Sequence, residues 1–296
     1  MRDGEATTSV ELVRRLVAGQ FPQWTDLPVA PVGTPGTDNA MYRLGDDLAV
    51  RLPRLPGGVA QIERDGRWLP VLAPRLPLPV PTPVAVGRPA HGYPFAWTVC
   101  RWLPGDTVEA FTDRRAALDL AAFVTALRTV DPAGAPPGYR GGALADQDAS
   151  VRGAIAQLHG DLDTAAATAA WETAVAAPAW DGPPTWSHGD LHAGNVLAVD
   201  GRVSAVIDFG CAGVGDPACD VMPAWTLLGA EHRDTFRDAV GADDAMWERA
   251  RGWVLCMGLV ALPYYRDRNP PFAAMARRML DQALSRKRSN STELSD

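Results

Sequence analysis
The chain has 296 residues, 47% hydrophobic and 21% charged, with a formal net charge of −7. That balance fits a globular chain of one large or two modest domains and excludes a disordered or fibrous one. Basic residues number 11 against 9 acids in residues 1–105, and 17 against 26 in residues 106–296, a field opposite to the one a nucleic-acid partner needs.

Residues 10–20 carry Val10, Val13, Leu16 and Val17 at helical spacing. The stretch 29–54 reads as three strands, parted by a glycine-containing turn and a Gly-Asp-Asp turn. A second helix is expected over 58–69, with Val59, Ile62, Gly66 and Leu69 on one face. The proline-rich run 72–89 is expected to be extended, and 93–105 is a β run ended by Pro-Gly. From residue 106 the texture turns helical, with helices expected over 114–130, 149–159, 164–177, 218–229, 231–240, 244–261 and 272–284. This places a lobe boundary near 103–106: 1–104 rich in β structure, 105–285 mainly helical, and 286–296 a disordered tail. Apolar runs break well before the ~20 residues of a membrane span. The N-terminus reads as a polar start before an amphipathic helix rather than a signal peptide. Cys100, Cys211, Cys219 and Cys256 are scattered as reduced thiols would be, and a cytoplasmic location is expected. The only lysine is Lys287, so a P-loop is excluded and phosphate contacts must use arginine, backbone N–H groups or a metal.

Chemistry concentrates in "SHGDLHAGN" (187–195) and "IDFG" (207–210). A metal site from His188, Asp190 and His192 is geometrically conceivable, but the glycines suggest a loop and no further histidine cluster exists. Serine hydrolysis lacks a G-x-S-x-G elbow. Phosphoryl transfer fits better, since it needs a carboxylate to take the acceptor's proton and an amide-plus-carboxylate pair for Mg²⁺. Asp190 supplies the first, and Asn195 with Asp208 the second. Between those two, "NVLAVDGRVSAVID" reads as a β-hairpin turning at Asp-Gly, which would bring Asn195 and Asp208 side by side.

The pair "HGDLHAGN…IDFG" resembles the catalytic loop and metal motif of the aminoglycoside phosphotransferase family. "GVGDPACDV" (213–221), "GTDNAMYRLGDDLAVRLPR" (36–54) and "PFAWTVCRWLPGD" (94–106) extend the likeness to roughly residues 30–284. The resemblance implies an α+β, protein-kinase-like bilobal fold with a β-rich N-lobe, a nucleotide cleft at a hinge near 100–104, and a helical C-lobe. It implies a nucleotide donor, ATP or GTP, with Mg²⁺. His188 and Asp220 are then loop-bracing residues, Asp220 accepting backbone N–H bonds from the catalytic loop, and Asp216 is a structural carboxylate. His192, next to the site, reads as a loop hydrogen-bonding residue. Arg51 stands where the family has its phosphate-binding lysine, with Asp65 a better-placed partner than Glu63. Gly33 and Gly36 lie in the turn over the phosphates, and the base is expected near Cys100 and Trp102. The acceptor is a small molecule, with a cationic one a candidate and Asp267 a candidate contact. An aminoglycoside or other antibiotic comes first; a choline-, homoserine- or sugar-type metabolic kinase and a pseudokinase-like binding protein are the alternatives.

Overall fold
The computed structural model describes residues 5–33 and 39–285. Helix α1 (Val10–Gln20) begins at Ser9, whose hydroxyl accepts the Leu12 N–H at 3.1 Å, satisfying a donor the first turn leaves open. Strands β1 (Val29–Pro31), β2 (Asn39–Leu44) and β3 (Leu48–Pro53) follow, then helix α2 (Gly57–Leu72). Next come β4 (Pro83–Gly87), β5 (Trp97–Arg101) and the two-residue β6 (Asp106–Thr107). Helices α3 (Arg114–Arg128), α4 (Asp148–Gln157) and α5 (Thr164–Ala176) lead to β7 (Thr185–Ser187), β8 (Val196–Val199), β9 (Arg202–Val206) and β10 (Gly213–Gly215). The chain continues through α6 (Pro223–Thr226), α7 (Arg233–Val240), α8 (Asp244–Tyr265) and α9 (Pro270–Leu284).

One expected helix is absent. Residues 218–229 form a 3₁₀ turn (Pro217–Val221) and the single-turn α6, because Pro223 offers no N–H with which to continue the first element into the second. Helix α9, by contrast, opens on Pro270 and Pro271, where helical donors have no partner to lose.

The chain divides into two compact units. The first runs to Thr107 and includes Gly194–Cys211; the second comprises Val108–Ala193 and the chain from Ala212. The first holds an antiparallel sheet ordered β1-β2-β3-β5-β4, with Val13, Leu16, Leu44, Val50, Leu52, Trp97 and Val99 in its core. A cut at 104/105 would leave the β8–β9 hairpin with the helices. It falls instead with the first unit because β6 pairs with β8 (Asp106↔Ala198), the Val206 N–H donates to Pro79 O at 3.1 Å, and Ser204 Oγ donates to Pro104 O at 3.1 Å. The hairpin turns at Asp200 (φ 50°) and Gly201 (φ 75°), the left-handed pair that a two-residue turn between twisted strands demands.

In the second unit, α8 is buried along most of its length and packs against α4, α5 and α9, while α3 packs on α7 and β7. The 286–296 tail lies outside the described residues. Among the described residues, no helix is long and apolar enough to cross a membrane.

Candidate active site
Strand β7 delivers the chain to the catalytic-loop motif. Just past its end, Asp220 is fully buried and accepts two successive N–H groups: His188 on Oδ2 and Gly189 on Oδ1, each at 2.7 Å. Burial pushes the Asp220 carboxyl up, while the charge of His188, these two bonds and the charge of Arg128 work against the rise. Gly189 takes a left-handed φ of 75°, and the Asp190 N–H donates to His188 Nδ1 at 3.3 Å. The loop is thus pinned from beneath, with Asp190 half-buried at its crest.

Both Asp190 oxygens have basic partners. Arg140 Nη1 donates to Oδ1 at 2.7 Å and to the Gly189 carbonyl at 2.6 Å, and His192 Nε2 lies 3.4 Å from Oδ2. Burial pushes the Asp190 carboxyl up, but the hydrogen bond and charge of His192, with the charges of Arg140 and His188, outweigh it and hold the group well below the usual carboxylate range.

Arg140 was not among the residues the sequence singled out. It arrives on the breaker-rich loop after α3, whose backbone lies directly on β10: Val214 exchanges bonds with Pro136 O and Gly138 N at 2.9 Å each, and the Asp216 N–H donates to Gly141 O at 3.1 Å. A Cβ on Gly213 would stand 2.5 Å from Gly138 N, and one on Gly215 2.4 Å from Gly141 Cα, so only glycine permits this approach. Asp216 makes a buried ion pair with Arg249 (Nε to Oδ2, 2.7 Å) and caps the following 3₁₀ turn through the Ala218 N–H at 2.9 Å.

The first unit carries the remaining candidates. Arg51 on β3 and Asp65 on α2 pair at 2.6 Å, with Asp65 buried; Glu63 is exposed. Burial pushes Asp65 up to about 6, with the attraction of Arg51 opposing and the negative charge of Asp208 adding to the rise. Asn195 is buried at the head of the hairpin, and the Ile207 N–H donates to its carbonyl at 2.9 Å, which makes Asn195 and Asp208 near neighbours across the ladder. Asp208 is exposed with a left-handed φ of 61°; its Oδ1 accepts Gln61 Nε2 at 3.1 Å and the Gly210 N–H at 3.3 Å. Arg64 Nη1 donates to Gly210 O at 3.0 Å, so α2 steadies the turn at 208–210 from two positions, 61 and 64, that the sequence reading did not single out.

Gly33 has a left-handed φ of 51°, whereas Gly36 lies outside the described residues. Cys100 sits within the sheet between β3 and β4, and the Trp102 N–H already donates to Asp47 O at 2.7 Å, which leaves Trp102 its carbonyl for any base contact. Asp267 is exposed on the turn after α8, between Arg266 and Arg268.

A β-sheet unit bearing a buried Arg–carboxylate pair, followed by a helical unit bearing a braced H-G-D loop, defines an α+β, protein-kinase-like phosphotransferase. The chain matches the Phosphotransferase enzyme family (APH) over residues 31–253 and belongs to that family. No curated protein sequence matches it. Its fold is similar to that of aminoglycoside 2'-phosphotransferase-IIIa in its GDP complex, with a TM-score of 0.74 at 20% identity over 94% of this chain and 99% of that one. Macrolide 2'-phosphotransferase MphH from Brachybacterium faecium follows at TM-score 0.62 and 21% identity, covering 92% and 97%. ADP-bound aminoglycoside phosphotransferase APH(2'')-Ib gives 0.60 at 16% identity, covering 93% and 98%.

Proposed function
We propose that the protein transfers the terminal phosphoryl group of ATP or GTP to a hydroxyl of a small molecule, foremost an antibiotic. The observation that carries this reading is the hairpin that returns Asp208 beside Asn195, five residues after a carboxylate on a braced loop. Both nucleotides stay candidates, since the structural relatives above hold GDP in one case and ADP in another.

In the reaction, the acceptor oxygen bonds to the γ-phosphorus while the bond to the bridging oxygen breaks, and the hydroxyl proton passes to Asp190. Arg51, aimed by Asp65, would hold phosphate oxygens as a two-pronged donor. The hard oxygen donors of Asn195 and Asp208 suit Mg²⁺, and Gln61 and the Gly210 N–H both donate to Oδ1 of Asp208, so that Oδ2 would be the oxygen to hold a cation. When bound, Mg²⁺ neutralises charge on the phosphates. Because Asp190 is held a weak base, it orients the hydroxyl and takes the proton late, as a loose transition state allows.

The test is a mass gain of about 80 Da, one phosphoryl group, on an acceptor panel with Mg²⁺ and either nucleotide. Transfer to choline or a sugar alone would redirect the reading to a metabolic kinase. Transfer to none, by an enzyme that also leaves nucleotide intact, would end it.

Two further outcomes are expected. The ionised Asp65 holds Arg51, so kcat/KM for nucleotide should fall as pH drops through about 6, and Asp65→Asn should flatten that limb at a lower level. A pH profile of both proteins checks this, and an unchanged limb in the variant would remove the role. Arg140→Ala should lower kcat about tenfold with nucleotide KM unmoved, since one charge-assisted bond to Asp190 is lost. Added guanidinium should recover part of the rate; a positioning role predicts that rescue and a merely structural one does not.

A further inference from the structure
We infer that the acceptor served by Asp190 is an uncharged or weakly charged molecule with a flat, apolar ring face, and not a polycation. This rests on the phosphotransferase reading above and narrows it. The surroundings of Asp190 within the second unit carry the inference.

The carboxylate is not an open acid, because Arg140 and His192 sit on its two oxygens. Beyond His192, which is buried, a chain of packed aromatic rings leads to the surface. The His192 ring meets Phe272 edge-on at 5.9 Å, Phe272 packs on Tyr265 at 4.5 Å, and Tyr265 meets Tyr264 at 4.7 Å. The run thus leads from the proposed base to a Tyr264 that is 46% exposed, and its last ring carries the Arg268 guanidinium at 4.6 Å. Rings in this arrangement offer edges and faces to another flat ring. The outermost ring already carries a cation, Arg268, so an ammonium group brought to it would meet like charge.

Charge points the same way. Residues 264–278 hold four arginines and one acid, in a chain whose net charge is −7. Two acids pair with arginines of this segment: Asp161 takes Arg266 at 2.5 Å on its carboxylate and Arg277 at 2.7 Å on its carbonyl, and Glu109 takes Arg278 at 3.3 Å. Asp267, the acid that sequence offered to a cationic acceptor, lies between two arginines. The acidic excess of the second part of the sequence is therefore not concentrated along this aromatic run, and a molecule with several ammonium groups would meet like charge there.

The experiment is a calorimetric titration of the full chain, with Mg²⁺ and ADP present, against 4-nitrophenyl glucoside, a macrolide bearing a single amine, kanamycin and choline. At least one of the first two should bind about tenfold more tightly than kanamycin and choline, and Phe272→Ala should weaken that ligand by about tenfold. Arg268→Glu, a change at an exposed side chain, should improve kanamycin binding several-fold. Kanamycin or choline binding as tightly as the ring-faced pair would overturn the inference, and so would binding of none of the four. The two readings fail separately: phosphorylation of kanamycin would keep the phosphotransferase and sink this acceptor class. A ring-faced ligand that binds with the expected preference yet gains no phosphate would do the reverse.

Discussion

Asp190→Asn lowers kcat by about 10²–10⁴-fold while nucleotide affinity stays within about twofold of wild type. The substitution keeps the shape of the side chain; its amide oxygen still accepts from Arg140, and its NH₂ faces His192 Nε2, which accepts once the imidazole takes its other neutral tautomer. What disappears is the carboxylate charge and basicity proposed to take the proton of an acceptor hydroxyl. Nucleotide affinity should hold because the residues proposed to bind it, Arg51, Asp65, Asn195 and Asp208, belong to the other unit. Single-turnover transfer read by mass, with nucleotide titration alongside, separates the two effects; a variant retaining a tenth of the rate would remove Asp190 from the chemistry. The same electrostatics make a prediction about what wild type lacks. With Asp190 held below the usual carboxylate range, its protonation contributes no limb near neutral pH, and the fall through about 6 belongs to Asp65.

These assignments differ in how far sequence alone could reach them. The placement of Asn195 beside Asp208 was legible because it is local: a hairpin whose Asp-Gly turn fixes the register and brings its ends together. The Arg51–Asp65 contact was legible one step further out, since Asp65 shares a helix face with Ile62 and Leu69 and must point inward with them. Arg140 was not legible. It lies 50 residues from the carboxylate it touches, on a loop with no periodicity, and is delivered by backbone contact with two glycines whose purpose no local pattern announces. Gln61 meets Asp208 across 147 residues in the same way. The hairpin's membership of the first unit was hidden too, because it depends on a two-residue strand, Asp106 and Thr107, too short to read as one, and on bonds from Val206 to Pro79 and from Ser204 to Pro104 that span 100 residues or more.

Asp220→Asn should cost about 2–4 kcal/mol of stability, lower Tm by roughly 5–10 °C and reduce kcat about 10–100-fold. In wild type, each carboxylate oxygen of a fully buried side chain accepts one N–H at 2.7 Å, from His188 and from Gly189. An asparagine has one acceptor oxygen, and its NH₂ would face the second N–H, donor against donor, with no water to relieve it. The loop can escape only by lifting Gly189, and Arg140 holds the carbonyl of that same residue at 2.6 Å. Lifting it therefore drags the Arg140–Asp190 clamp out of place, so a change that touches no reacting atom should reach kcat. Amide hydrogen exchange at His188 and Gly189 distinguishes this route from a general loss of stability. Both amides should exchange far faster in the variant at temperatures where α8, the long buried helix that carries Arg249, stays protected. If the two amides stay as protected as in wild type while kcat falls, Asp220 acts on the site by some other path, and the bracing role assigned to it is wrong.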